Sequence, residues 1–161
     1  MRDYEETASE ANFNASKQFY PFLLLVITGK GPEKQHYLDI IRKEQNDWNY
    51  IKIKTAWLEA EDYPRLLAMA DLGVCLHYSS SGVDLPMKVV DMFGAGLPTL
   101  AIHFKSIHEL VTNSITGFIF KDSKELFELL AYIFVDWPAK REEMREMREN
   151  VLKFRNNRSF E

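Results

Sequence analysis

The sequence predicts an α/β fold on a Rossmann-like, mostly parallel sheet with helices on both faces, and three observations predict it. Short apolar runs suited to strands alternate about five times with stretches of helical spacing. The connections between them are short, which fits right-handed βαβ crossovers. Glycine and polar residues gather directly after two of the apolar runs, at 28–32 and 77–85. Parallel sheets bind ligands at the carboxyl ends of their strands, where these two loops fall.

Each element has its own local signal. Residues 4–19 are polar with scattered apolar positions and read as a helix. FLLLVI at 22–27 is bulky and continuous, so it predicts a strand buried on both faces. TGKGP then turns the chain, and 33–45 suits a helix. YIKIK at 50–54 alternates apolar and polar, the pattern of a strand. Residues 61–70 suit a helix with Pro64 in its first turn. DLGVCLH at 71–77 is a second buried strand, followed by a loop at 78–84 and a helix at 86–95 opened by Pro86. PTLAI at 98–102 reads as a strand, 106–113 as a helix, GFIF at 117–120 as a strand and 123–136 as a helix. Past Trp137-Pro138 the chain is heavily charged, with Met144, Met147, Val151 and Phe154 at helical spacing. That predicts one α/β domain over 1–137 and a C-terminal helix over 138–161 packed on it, its charge run facing water.

Composition narrows the function. A chain of 161 residues with 46% apolar and 27% charged residues is globular and long enough for one core. A formal net charge of −4 argues against nucleic acid as a partner held by bulk attraction to phosphate. Cys75 is the single cysteine, so no internal disulfide and no zinc spacing exist, which fits a cytosolic setting. The run at 22–27 is far short of the ~18 residues of a membrane helix. The acidic stretch DYEETASE before it does not suit a signal peptide.

The site candidates start from Lys88. It stands in the first turn of the helix opened by Pro86, where backbone N–H groups already present positive partial charge. A bound anion would make that placement favourable. Ser79, Ser80, Ser81 and Gly82, just ahead, offer hydroxyls and a pliable backbone to an oxyanion. Asp91 lies one turn deeper on the same face and accepts hydrogen bonds only, which suits the paired hydroxyls of a ribose. Amides, cation, then carboxylate is an order that fits a nucleoside diphosphate attached to a sugar. An exposed ion-pair cluster of Asp84, Lys88 and Asp91 explains the same spacing, and the residues alone leave both readings open.

The other candidates carry less. Gly29, Lys30 and Gly31 form a tight turn after the first strand, from which Lys30 could reach a second phosphate; the spacing is not that of a P-loop and also suits an ordinary strand-to-helix turn. Trp57 either lines a base pocket or packs in the core. His77 ends a predicted strand beside the serine loop and is a candidate contact for a phosphate or sugar hydroxyl. No metal-ligand spacing and no Ser–His–Asp order stand out, so no metal and no cofactor are expected. His103, Lys105, His108 and Glu109 receive no role.

The runs VITGKGP, WLEAEDYPRLLAMADLGVCLHYSSSGVDLPMKVVDMFGAGLP, FKSIHELV and TGFIF resemble the chitobiosyldiphosphodolichol β-mannosyltransferase family, within the GT-B glycosyltransferases. The likeness extends from about residue 20 to residue 137. It implies the C-terminal half of a two-part enzyme, the half that binds the nucleotide sugar. It implies inverting transfer of mannose from GDP-mannose to dolichol-linked chitobiose during N-glycan precursor assembly. The setting it implies is the cytosolic face of the endoplasmic reticulum membrane, with other mannosyltransferases of the pathway as partners and without a metal.

The resemblance also implies residue roles. Asp91 would hold the ribose and Lys88 the diphosphate. Ser80, Ser81 and Gly82 would form the donor loop, and Gly29, Lys30 and Gly31 the first glycine loop. Many retaining relatives carry two glutamates eight positions apart; here Val83 stands eight before Asp91, which is compatible with inversion. The family's N-terminal half and the opening strand of its donor domain are expected to lie outside this sequence. The general base for the acceptor hydroxyl is therefore not assigned, and this chain alone is expected to be incomplete for catalysis. Two alternatives stand beside this: a non-catalytic truncated paralogue that binds nucleotide sugar or a partner, and a GT-B transferase using another donor such as UDP-GlcNAc.

Overall fold

Alternation of strand and helix is what the computed structural model shows over the residues it describes, 1–13, 19–78 and 84–157. They divide into two compact units, Met1–Glu59 with Leu130–Ala139, and Ala60–Leu129 with Lys140–Glu161.

The first unit holds α1 (Arg2–Phe13), β1 (Leu23–Thr28), α2 (Lys34–Glu44), a 3-10 turn (Gln45–Asp47) and β2 (Ile51–Ala56). β1 and β2 pair in parallel, from Leu23 opposite Ile51 to Thr28 opposite Ala56. The alternation read in β2 is real: Ile51 and Ile53 are buried while Lys52 and Lys54 are exposed. The buried Glu5 carboxylate of α1 accepts the N–H groups of Asn49 (2.5 Å) and Tyr50 (2.8 Å), satisfying the chain as it enters β2. Tyr4 is fully buried, edge-on to Tyr20 and Phe134.

β1 departs from its expectation. Leu24 is 58% and Ile27 46% exposed, so the strand is not buried on both faces. A continuous apolar run specifies a strand with two apolar faces, but it does not supply the layers that cover them. Among the described strands, β1 pairs with β2 alone.

The second unit holds α3 (Tyr63–Met69), β3 (Gly73–Cys75), α4 (Met87–Gly94), β4 (Thr99–Ile102), β5 (Gly117–Phe120), and most of α5 (Ser123–Phe134) and α6 (Trp137–Asn157). Its sheet has the order β3-β4-β5, all parallel. The apolar face of α4 (Val89, Met92, Phe93) is buried. Val151 of α6 joins the same core as Val89 and Phe93, and Phe154 stacks edge-on to Phe93 at 5.5 Å. Met144 and Met147 are buried as their spacing predicts. α4 ends in a two-bond cap, with Gly96 N–H donating to the Phe93 carbonyl and Leu97 N–H to that of Met92. Arg155 Nη1 donates to the Gly94 carbonyl at 3.0 Å, a cation at the negative end of the helix.

Two further expectations change. The strands form a two-stranded and a three-stranded sheet among the described residues, because apolar runs mark strands without saying which edges pair. The helix read at 106–113 is a single 3-10 turn, Ile107–Glu109. The Thr112 N–H there donates to the Thr116 hydroxyl at 3.0 Å, which ends the helical ladder. The described part of α1 ends at Phe13, and the rest of the helix read over 4–19 falls on residues 14–18, outside the described part. No helix among the described residues is long and apolar enough to cross a membrane.

Candidate nucleotide-diphosphate site

In the second unit the chain leaves β3 at Cys75 and enters α4 at Met87, with Pro86 at the N-cap. Pro86 sits one position earlier than the sequence suggests. Its φ of −73° and ψ of 111° are extended, and its carbonyl accepts the Val89 N–H at 2.9 Å. Burial of Val89, Met92 and Phe93 fixes the rotation of α4, leaving Lys88 exposed and Asp91 partly exposed.

Their surroundings are specific. The Lys88 ammonium lies 4.8 Å from the centre of the Tyr63 ring. Burial pushes the Tyr63 hydroxyl above the ordinary tyrosine range, with smaller contributions from the Asp91 charge and from Cys75. Burial likewise pushes the Cys75 thiol up, while a hydrogen bond from the His77 backbone and the Lys88 charge pull it back. Lys88, Asp91, Tyr63 and Cys75 thus share one neighbourhood at the carboxyl end of β3. Among the described residues no ion pair joins Lys88 to Asp91. A lysine in the first turn of a helix that keeps its charge unneutralised is suited to an anion.

His77 follows β3 and is exposed, its backbone engaged with Cys75. Ser80, Ser81 and Gly82 lie outside the described residues. At the carboxyl end of β4, His103 and His108 are exposed and meet edge-on at 5.5 Å. Tyr63 is the participant the sequence gave no reason to choose. It stands 25 positions before Lys88, and no spacing rule reads a tertiary contact.

The glycine loop and Trp57 belong to the first unit, at the carboxyl ends of β1 and β2. Gly29 takes φ +140°, where an L residue is strained, and its N–H donates to the Ala56 carbonyl at 3.2 Å. Gly31 does not take positive φ; its carbonyl accepts the Lys34 N–H as α2 begins. Trp57 is 54% exposed and is not a core tryptophan. The Lys30 ammonium rests 4.0 Å from the centre of its indole. An open cavity in the same unit is lined by Glu5, Glu6, Glu10 and Asp47, with Arg2 paired to Glu44. Its acidity makes it unsuited to a diphosphate. Among the described residues no group of three or more His, Cys, Asp or Glu is placed to hold a metal ion.

Comparison with known proteins adds the following. The family profile described as "Glycosyl transferases group 1" matches residues 12–136. The chain is similar to the chitobiosyldiphosphodolichol beta-mannosyltransferase of Homo sapiens, 51% identical over 131 residues that make up 81% of this chain and 28% of the relative. It is similar to the protein of the same name from Candida albicans, 43% identical over 98% of this chain and 32% of the relative. A protein of Arabidopsis thaliana named UDP-glycosyltransferase TURAN is 49% identical over 80% of this chain and 27% of its own length. The chain therefore spans between 27% and 32% of the length of these relatives.

Proposed function

The chain belongs to the group 1 glycosyl transferases, and from that premise we propose that it forms the donor-binding part of a mannosyltransferase. The donor is GDP-mannose, the acceptor is dolichol-linked chitobiose, and the anomeric configuration inverts. The observation that carries this is the Lys88 ammonium kept over a ring at the entrance of α4, with Asp91 one turn deeper. The names of the human and Candida relatives supply the sugar and the acceptor.

In the reaction, an acceptor hydroxyl oxygen attacks the anomeric carbon from the face opposite GDP. The bond from that carbon to the diphosphate oxygen breaks, and the hydroxyl proton passes to a general base. Negative charge gathers on the departing diphosphate, where Lys88 and the N–H groups opening α4 oppose it. Asp91 accepts hydrogen bonds from the ribose. Lys30 is proposed as a donor contact in its own right, and Trp57 and His77 as further ones. No residue of this chain is assigned as the base, and no metal takes part in the proposed step. The setting is the cytosolic face of the endoplasmic reticulum membrane, beside other mannosyltransferases of the pathway.

A second reading has an observation of its own: the Arabidopsis relative is named for a UDP donor. Calorimetric titration with GDP, GDP-mannose and UDP, on the chain and on Lys88→Ala and Asp91→Asn, separates the two. GDP and GDP-mannose are expected to bind more tightly than UDP, and both substitutions to weaken them. Tighter UDP binding supports the alternative donor, and equal, unchanged affinities remove the proposal. Mannose transfer by this chain alone is expected to be little or none.

A further inference from the structure

Resting on the assignment of Lys88 to the diphosphate, we propose that Tyr63 is a positioning residue that keeps the Lys88 ammonium unneutralised and available to the anion. Two opposite charges three residues apart on a helix, Lys88 and Asp91, are placed to pair. A paired ammonium would spend part of its charge and its N–H donors on the carboxylate. The Tyr63 ring offers a different seat. Its face attracts the ammonium, 4.8 Å from the ring centre, without accepting a proton or cancelling its charge.

The ring is itself held in place. Tyr63 opens α3 and packs against the buried cluster of Leu67, Met92 and Leu97. Met92 follows Asp91 on α4, so the ring is anchored to the same helix that carries both charges. The Asp91 charge is felt at the Tyr63 hydroxyl, which places the ring near both partners. Lysine has a long, flexible stem whose freedom is lost on binding. A weak seat near the binding position removes part of that loss and releases the ammonium when a phosphate arrives. Lys30 over Trp57 at 4.0 Å shows the same seating of a loop lysine in the first unit.

The test titrates GDP and, separately, inorganic pyrophosphate into the wild-type chain, Tyr63→Phe and Tyr63→Leu. The Lys88 ε-methylene proton shift is recorded for each by NMR. Tyr63→Phe keeps the ring face and is expected to keep both affinities and an upfield Lys88 shift. Tyr63→Leu is expected to lose the shift and to weaken both ligands by about twofold, the size of the helical ion pair with Asp91 that the freed ammonium then forms and must break on binding. Lys88→Met in the Tyr63→Leu background is expected to weaken them by less than Lys88→Met in the wild type. Should Tyr63→Leu not fold, Tyr63→Phe still decides, since a loss of affinity or of the upfield shift there overturns the role given to the ring. Wild-type binding of GDP with unchanged affinity in Tyr63→Leu overturns this proposal alone. Pyrophosphate binding without GDP binding removes the nucleotide assignment and leaves the seat standing; binding of neither removes both.

Discussion

Lys88 occupies a position that costs the helix a little. A cation in the first turn opposes the helix dipole by about 0.3–1 kcal/mol. Its contact with Tyr63 offsets a similar amount. Lys88→Ala is therefore expected to leave the melting temperature nearly unchanged while weakening GDP about tenfold or more, the scale of one hydrogen bond to a charged group. Cys75, at the end of β3, makes a second prediction. Its thiol is held above the ordinary value, chiefly by burial. The unfolded chain gives up that proton near pH 8.5 while the folded chain retains it. Above that pH the unfolded state binds fewer protons, so this contribution to stability is full below about pH 8.5 and declines as pH rises toward the folded value. Urea unfolding of wild type and Cys75→Ala across this range checks it: the variant should show the flatter decline, and parallel curves would contradict it. The placement of Lys88 and Asp91 together on α4 was legible from the sequence, because residues three apart on a helix share a face. Tyr63 was not, because the packing of α3 on α4 brings it to them.

At the scale of elements, local chemistry was readable where it acts locally. Pro86 marks the start of α4, and Gly96 lies just past its end, in the cap. The alternation of β2 shows directly in its burial. The 3-10 turn at 107–109 differs from the helix read there because the Thr112 N–H takes the Thr116 hydroxyl in place of a backbone carbonyl, a choice that apolar spacing does not report. Gly117 in β5 faces Thr99 of β4, and a Cβ there would lie 2.0 Å from the Thr99 carbonyl oxygen. Backbone on both sides has little room to give, so Gly117→Ala is expected to destabilise by at least the ~1–3 kcal/mol of an overpacked core. Denaturant unfolding measures it, and a change within error would mean that β4 and β5 do not pair in this register. β1 predicts behaviour in solution. With Leu24 and Ile27 exposed and no charge along LLLVIT, the strand is an adhesive surface. Light scattering should show apparent mass rising with concentration above 18.8 kDa, and Leu24→Lys with Ile27→Lys suppressing the rise. A wild-type mass that stays at the monomer value would refute this.

For the molecule as a whole, the α/β class follows from alternating elements, which any chain of this pattern must pack in layers. The division into a two-stranded and a three-stranded sheet was not legible, because the choice of neighbour belongs to tertiary structure. Nor does composition choose between GDP and UDP, since both would present the same diphosphate and ribose to the proposed contacts Lys88 and Asp91. With a net charge of −4 the chain as a whole does not attract an anion. The proposed binding of nucleotide therefore requires a local arrangement of charge, and the affinity should vanish with that arrangement. The most direct measurement is a calorimetric titration of GDP and UDP into the wild-type chain and Lys88→Ala at one ionic strength. A clear preference for GDP in the wild type, with GDP affinity lowered about tenfold or more in Lys88→Ala, is the result expected for a charged contact to the diphosphate. Identical binding of both nucleotides, unchanged by the substitution, would contradict it.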